Sequence, residues 1–145
     1  VHRGLADVKV FSAESAMSSS RAVAVVDLTG KGRADLVLVD YHDPPRVLRN
    51  TQKTGNGFIK VRLEAPTPNT FAVGATIRVF VEGLPPQLKA VTVGANYLSQ
   101  DELVPTFGLG KAKAASRIEV TWPGGTSQTV DGPFPAGRTV TVKRP

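Results

Sequence analysis

Apolar runs in this chain are short and β-branched, and each is stopped within a few residues by Gly, Pro, Asn or Asp. VVDLTG, VLVDYHDPP and VFVEGLPPQ all read this way, a pattern that selects strands joined by turns over helices. The expected strands are Val8 to Phe11, Arg21 to Val26, Leu36 to Tyr41, Arg46 to Asn50, Phe58 to Leu63, Thr76 to Glu82, Leu88 to Val93, Arg117 to Thr121, Thr126 to Val130 and Thr139 to Val142. Only Ser12 to Ser20 has room for a helical turn, and it reads equally well as a loop. Ile77, Val79 and Val81 alternate with Arg78, Phe80 and Glu82, the period of a half-buried strand. EGLPPQ then turns the chain back into LKAVTV, predicting a hairpin. VLVDY alternates little, which predicts a strand covered on both faces.

Polar and turn-forming residues replace the apolar runs over TQKTGNG, residues 51–57. The expectation is an all-β chain: a four-stranded, propeller-blade-like unit over residues 1–50, a linker over 51–57, and a small β-sandwich or barrel over 58–145. Val1 opens the sequence where an initiator Met would stand, which predicts a piece of a longer protein.

With 41% apolar and 21% charged residues, the chain has the composition of a packed domain. No apolar run approaches the roughly 20 residues of a membrane span. The absence of cysteine removes disulfides, thiolate metal sites and cysteine nucleophiles. The net charge of +6 is spread singly along the chain and aromatics make up only 6%, so neither a basic stripe nor a stacking platform for nucleic acid is expected.

DLTGKGRADL, Asp27 to Leu36, places side-chain oxygens of Asp27, Thr29 and Asp35 at the first, third and ninth positions of a loop, where a calcium loop of alternating ligands wants them. Lys31 stands at the fifth position, and an ammonium has no lone pair to donate to a cation. The loop is therefore expected to bind calcium weakly or not at all. Lys31 then either pairs across the loop with Asp27 or Asp35, or turns out to solvent. The plainer reading is a strand-joining turn in which Asp27 accepts backbone N–H bonds.

AVAVVDLTGKGRADLVLVDYHDPPRVLRN resembles the FG-GAP, or VCBS-type, repeat, a blade of integrin-like β-propellers whose loop usually reads Asp-x-Asp-Gly-Asp-Gly-x-x-Asp-Leu. Asp27 and Asp35 match that loop, while Thr29 and Lys31 replace two of its acids. FIKVRLEA, NTFAVGATIRVF and GANYLSQDELVPTFGLGKAKAASRIEVTWPGG resemble the ASPIC/UnbV module, which follows FG-GAP repeats in animal and bacterial proteins. Asn69, Gly74, Ala75, Ser99, Gln100, Phe107, Gly108, Leu109, Gly110, Trp122, Pro123 and Gly125 match its pattern in order. The resemblance implies a non-catalytic binding or scaffold module whose partners are the remaining propeller blades of its parent and a protein or small-molecule ligand. It implies a secreted or cell-surface setting. The UnbV branch implies instead an accessory role, binding an intermediate or processing itself, in a cytoplasmic actinobacterial enediyne polyketide pathway.

The residues themselves say what the matched motifs do locally. Phe107 and Leu109 are core plugs separated by permissive glycines, and Pro123 stops a strand ladder after Trp122 because it has no N–H. Asn69, Ser99 and Gln100 are either local caps or a ligand-facing polar cluster. Histidine occurs only at His2 and His42, and His42 lies in the turn YHDPP, flanked by Asp40, Tyr41 and Asp43. A turn is the simpler account of that stretch, and no catalytic or cofactor-binding residue is assigned. Self-cleavage through an N-terminal nucleophile needs Ser, Thr or Cys first, and Val1 supplies none.

Overall fold

A computed structural model describes residues 20–94 and 96–145. Among them every regular element is a strand: β1 (Ser20–Val26), β2 (Asp35–Asp40), β3 (Arg46–Leu48), β4 (Gly57–Glu64), β5 (Thr76–Phe80), β6 (Gln87–Ala90), β7 (Thr106–Gly110), β8 (Ala114–Thr121), β9 (Ser127–Pro135) and β10 (Arg138–Lys143). The chain forms two compact units. Among the described residues the first comprises 20–54 together with Gly94–Glu102, and the second comprises Gly55–Val93 with Leu103–Pro145. The nine residues Gly94–Glu102 thus leave the second unit's run of sequence to join the first.

The first unit is built on an antiparallel sheet in the order β1-β2-β3. The expected strand Val8 to Phe11, and the Ser12 to Ser20 turn apart from Ser20 itself, lie outside the described residues. Val37 is paired with both Ala24 and Val47, and Leu36 with both Val25 and Leu48. Side chains of directly paired residues share a face, so Ala22, Ala24, Val37, Val39 and Val47 form one face, while Val23, Val25, Leu36, Leu38 and Leu48 form the other. Both faces are mainly apolar, the first ending at buried Asp35 and the second carrying Arg46 opposite Leu38. The two-sided burial expected of VLVDY is not met: Leu36, Val37 and Leu38 are half-buried, and Val39 is 45% exposed. Among the described residues the sheet has three strands, and part of each face is left uncovered.

The second edge of β1 is closed by the Gly94–Glu102 segment. Ser99 Oγ donates to the Val23 carbonyl at 2.5 Å, Val25 N–H donates to Asp101 Oδ1 at 2.8 Å, and Glu102 N–H donates to the Val25 carbonyl at 3.4 Å. Open strand edges need such cover against pairing with other chains.

The second unit is a β-sandwich of two open sheets, one in the order β10-β4-β7 and the other β6-β5-β8-β9, with no closed barrel. Ile59, Val61 and Leu63 on β4, Phe107 and Leu109 on β7 and Val142 on β10 face Ile77 and Val79 on β5 and Ile118 and Val120 on β8 in one buried core. Each large side chain in such a core contributes roughly 1.5–3 kcal/mol. The period of two expected in IRVFVEG is realised: Ile77, Val79 and Val81 are buried while Arg78 and Glu82 are exposed. The hairpin with LKAVTV forms as β5 and β6, paired antiparallel. β7 is a strand that the sequence reading did not place. β10 returns to lie parallel to β4, and Gly137 N–H and Arg144 N–H extend that contact at each end by donating to the Phe58 and Glu64 carbonyls.

Trp122 follows the end of β8 and is buried, its Nε1–H donating to Gln128 Oε1 at 3.0 Å. The β8–β9 turn closes with Gly125 N–H on the Trp122 carbonyl and Trp122 N–H on the Thr126 carbonyl. Gly124 and Gly125 both have positive φ there, a conformation that disfavours any side chain. On the side of the sandwich where β6 and β7 are the sheet edges, Gln87 and Lys89 cross the gap. Gln87 Nε2 donates to the Gly108 carbonyl at 2.6 Å and Lys89 Nζ to the Thr106 carbonyl at 2.7 Å.

Candidate functional site

The loop between β1 and β2 is organised by its two aspartates. Asp27 Oδ1 accepts Thr29 N–H and Lys31 N–H at 3.3 and 3.1 Å, and Oδ2 accepts Gly32 N–H at 2.7 Å. Thr29 Oγ1, the expected second ligand, also donates to Asp27 Oδ1 at 3.3 Å. Asp35 is buried and accepts Leu28 N–H on Oδ2 at 3.1 Å and Asn50 N–H on Oδ1 at 2.7 Å. Gly30 and Gly32, at φ of 66° and 71°, let the backbone turn its amides onto Asp27. Of the two placements open to Lys31, the structure has the outward one: the residue is exposed and engages Asp27 through its backbone N–H. The cation beside Asp35 is Arg49, with Nε 3.9 Å from Oδ1. Asp27, Thr29 and Asp35 are therefore brought into one loop, with backbone amides aimed at the carboxylate oxygens that a cation would need.

At the far end of β2, Arg46 Nε donates to Asp40 Oδ2 at 2.7 Å and its Nη2 to Oδ1 at 3.2 Å, while Ser20 Oγ donates to Oδ1 at 2.5 Å. The Arg46 hydrogen bond, followed by that from Ser20, holds the Asp40 carboxyl below its ordinary range against the opposing effect of burial. Tyr41 and His42 are exposed, with ring centroids 3.9 Å apart, and Asp43 is exposed beside them. His42 has φ of 65°, as a turn residue. Asp40, the one buried carboxylate in this stretch, faces Arg46 and Ser20.

Asn69, Ser99 and Gln100 each serve a loop. Asn69, in the second unit, clamps Val73: its Oδ1 accepts Val73 N–H at 2.8 Å and its Nδ2 donates to the Val73 carbonyl at 2.9 Å. Ser99 and Gln100 belong to the first unit, Ser99 on the β1 edge and Gln100 accepting Gly94 N–H at 2.6 Å while donating to the Asp101 carbonyl at 2.9 Å. Asp101, which sequence reasoning missed, ties this segment together by also accepting Asn96 Nδ2 at 3.0 Å. Between these anchors Tyr97 and Leu98 project at 73% and 75% exposure, and Leu98 adopts φ of 57°. On the solvent face of the second unit, Arg78, Glu119, Thr121 and Thr129 line a shallow depression of about 200 Å³.

The family pattern is distributed through this framework. Gly74, at φ of 92°, donates its N–H to the Val91 carbonyl at 2.8 Å, and Val91 N–H donates to the carbonyl of buried Ala75 at 2.9 Å. Phe107, Leu109 and Trp122 are core residues. The family described as ASPIC and UnbV matches over residues 65–145. The chain belongs to that family.

Among ASPIC and UnbV relatives, cartilage acidic protein 1 of Homo sapiens is 35% identical over 108 residues, covering 70% of this chain and 15% of the human protein. Cartilage acidic protein 1 of Xenopus tropicalis is 34% identical over 105 residues, with 70% and 16% covered, and that of Mus musculus is 34% identical over 108 residues, again with 70% and 16% covered. The aligned stretch of this chain thus spans about 15% of the length of the human relative. Those proteins are much longer.

Proposed function

We propose that this chain is a non-catalytic binding and scaffold module of a longer FG-GAP propeller protein, in which the sheet β1-β2-β3 is a blade that packs against neighbouring blades. The observation carrying this reading is that the sheet is mainly apolar on both faces and leaves Val25, Val39 and Val47 exposed at 39%, 45% and 51%. A solvated antiparallel sheet shows polar residues on its open face, whereas a sheet between two layers is apolar on both. The length of the relatives supplies chain for such neighbours. The Asp27 loop is then a degenerate calcium-type loop kept as architecture, its carboxylates satisfied by Thr29, Lys31, Gly32, Leu28 and Asn50 amides.

The test is the double substitution Val39→Lys with Val47→Lys, made in the 145-residue chain and in the longer parent protein. The reading expects the short chain to keep its stability and the parent to lose stability or solubility, because two charges enter a packed face only there. Equal tolerance in both proteins overturns it.

A further inference from the structure

The second unit holds ten basic side chains against four acidic ones, which accounts for the whole net charge of +6. The excess is unevenly placed. β5, β6, β8 and β9 carry Arg78, Lys89 and Arg117 against Glu119 and Asp131, while β4, β7 and β10 carry Lys60, Arg62, Arg138 and Lys143 against Glu64 alone. Along the sequence these cations are scattered. They meet because β10 returns parallel to β4, pairing Thr139 with Lys60, Thr141 with Arg62 and Lys143 with Glu64. Ile59, Val61, Leu63 and Val142 point into the core, so Arg62, Thr139, Thr141 and Lys143 point outward, and all four are exposed. Arg138 opens the strand as an exposed residue, and Arg144, also exposed, prolongs it by donating its N–H to the Glu64 carbonyl at 2.8 Å. Lys60 is only 8% exposed and stands outside this strip. Glu64 lies 3.6 Å from Lys143 in a solvent-exposed pair, which holds the lysine weakly. Among the described residues neither Arg62 nor Arg138 has an acidic partner.

We propose that this strip is a binding site for a linear sulfated polysaccharide. From Arg138 to Lys143 the strand runs about 17 Å at about 3.3 Å per residue, long enough to follow one extended anionic chain. Cations stand at both ends and Arg62 stands beside Thr141, while the Thr139 and Thr141 hydroxyls can donate to sulfate or sugar oxygens between them. The outward residues include no aromatic ring on which a nucleic-acid base could stack, and a flat strand face has nothing to insert into a duplex groove. An acidic peptide is also disfavoured. None of the exposed large apolar residues lies on β4 or β10, so a peptide's apolar anchors would find no counterpart there. A sulfated sugar chain brings only charge and hydroxyls, which is what the strip offers in return. The site belongs to the second unit and stands whether or not the first unit packs as a blade.

The experiment passes the 145-residue chain over immobilised heparin, a sulfated polysaccharide, and elutes it with salt. Retention is expected beyond about 0.15 M salt, where isolated surface charges are already well screened. Arg62→Gln with Lys143→Gln should weaken heparin binding several-fold and make its salt dependence shallower by about two ion contacts. Lys31→Gln with Lys53→Gln removes the same charge from exposed positions of the first unit and should leave retention nearly unchanged. Thermal unfolding checks that the variants are folded, and Lys143→Gln alone carries the same comparison if the double variant is not. Equal losses in the two double variants overturn the proposal, because net charge alone would then explain the binding. So does elution of the unmodified chain below about 0.15 M salt. Displacement by single-stranded DNA or polyglutamate as readily as by soluble heparin also overturns it, because the strip would then not select a sulfated sugar chain.

Discussion

Asp101 Oδ1 accepts the backbone N–H of Val25 at 2.8 Å, joining positions 76 residues apart in the chain. The same oxygen takes the Asn96 amide, so one carboxylate shapes the Gly94–Glu102 segment and closes the free edge of β1. Asp101→Ala is expected to destabilise the first unit by about 1 kcal/mol, the usual net worth of such a bond where water can replace the partner. Amide exchange should rise at Val25, and Asp101→Asn, which keeps an acceptor, should restore most of the protection. Unchanged exchange in Asp101→Ala would show that the clasp is held elsewhere.

Asp40 makes the stability of the first unit depend on acid. Its folded value lies below the unfolded one, so protons favour the unfolded chain. Its contribution is complete above the ordinary carboxylate value near about pH 4 and disappears as the pH falls through the lower folded value. Denaturant midpoints measured from neutral to acid pH should fall further in the unmodified chain than in Asp40→Asn. Arg46→Met, which removes the largest cause of the shift, should flatten the same profile.

Trp122, the single tryptophan, reports on the second unit alone. Trp122→Ala should cost about 3–5 kcal/mol, as for other large core truncations. Trp122→Phe keeps an aromatic ring but strands Gln128 Oε1, an expected loss of about 1–2 kcal/mol. Adding Gln128→Leu to Trp122→Phe should recover part of that loss in thermal unfolding followed by circular dichroism. A double variant no better than Trp122→Phe would assign the loss to packing.

Calcium calorimetry distinguishes an architectural loop from a live metal site. The unmodified chain should give no saturable heat up to about 1 mM calcium, the weak end of natural protein sites. Lys31→Asp, which supplies a third carboxylate, should introduce weak binding, because Asp27 must first release the amides of Thr29, Lys31 and Gly32. Micromolar binding by the unmodified chain would mean that those amides yield readily to a cation.

Most strands were legible because burial on one face leaves a period of two, as in Ile77, Val79 and Val81. β7 was not, because two glycines in TFGLG give the composition of a turn, while pairing with β4 and burial of Phe107 and Leu109 make it a strand. The Asp27 turn was readable from its own ten residues, since its bonds are mostly local. The role of Lys31 was open, because an exposed side chain and a paired one leave the same letter. Asp101 carried no local signal at all. Its partner is fixed only once the chain has returned across β1, and no periodicity encodes such a meeting.

The Gly94–Glu102 excursion has a consequence for inheritance. Thr54 and Gly55 mark the first change of unit along the chain, yet a gene fragment ending there would lack Ser99, Asp101 and Glu102, which complete the earlier sheet. Recombination that exchanges the sandwich for another therefore replaces the clasp as well, and the new clasp must fit an old edge. The two units are compact but linked as heritable parts, and because the clasp reaches only the backbone of Val23 and Val25, the side chains that must be kept are Ser99 and Asp101.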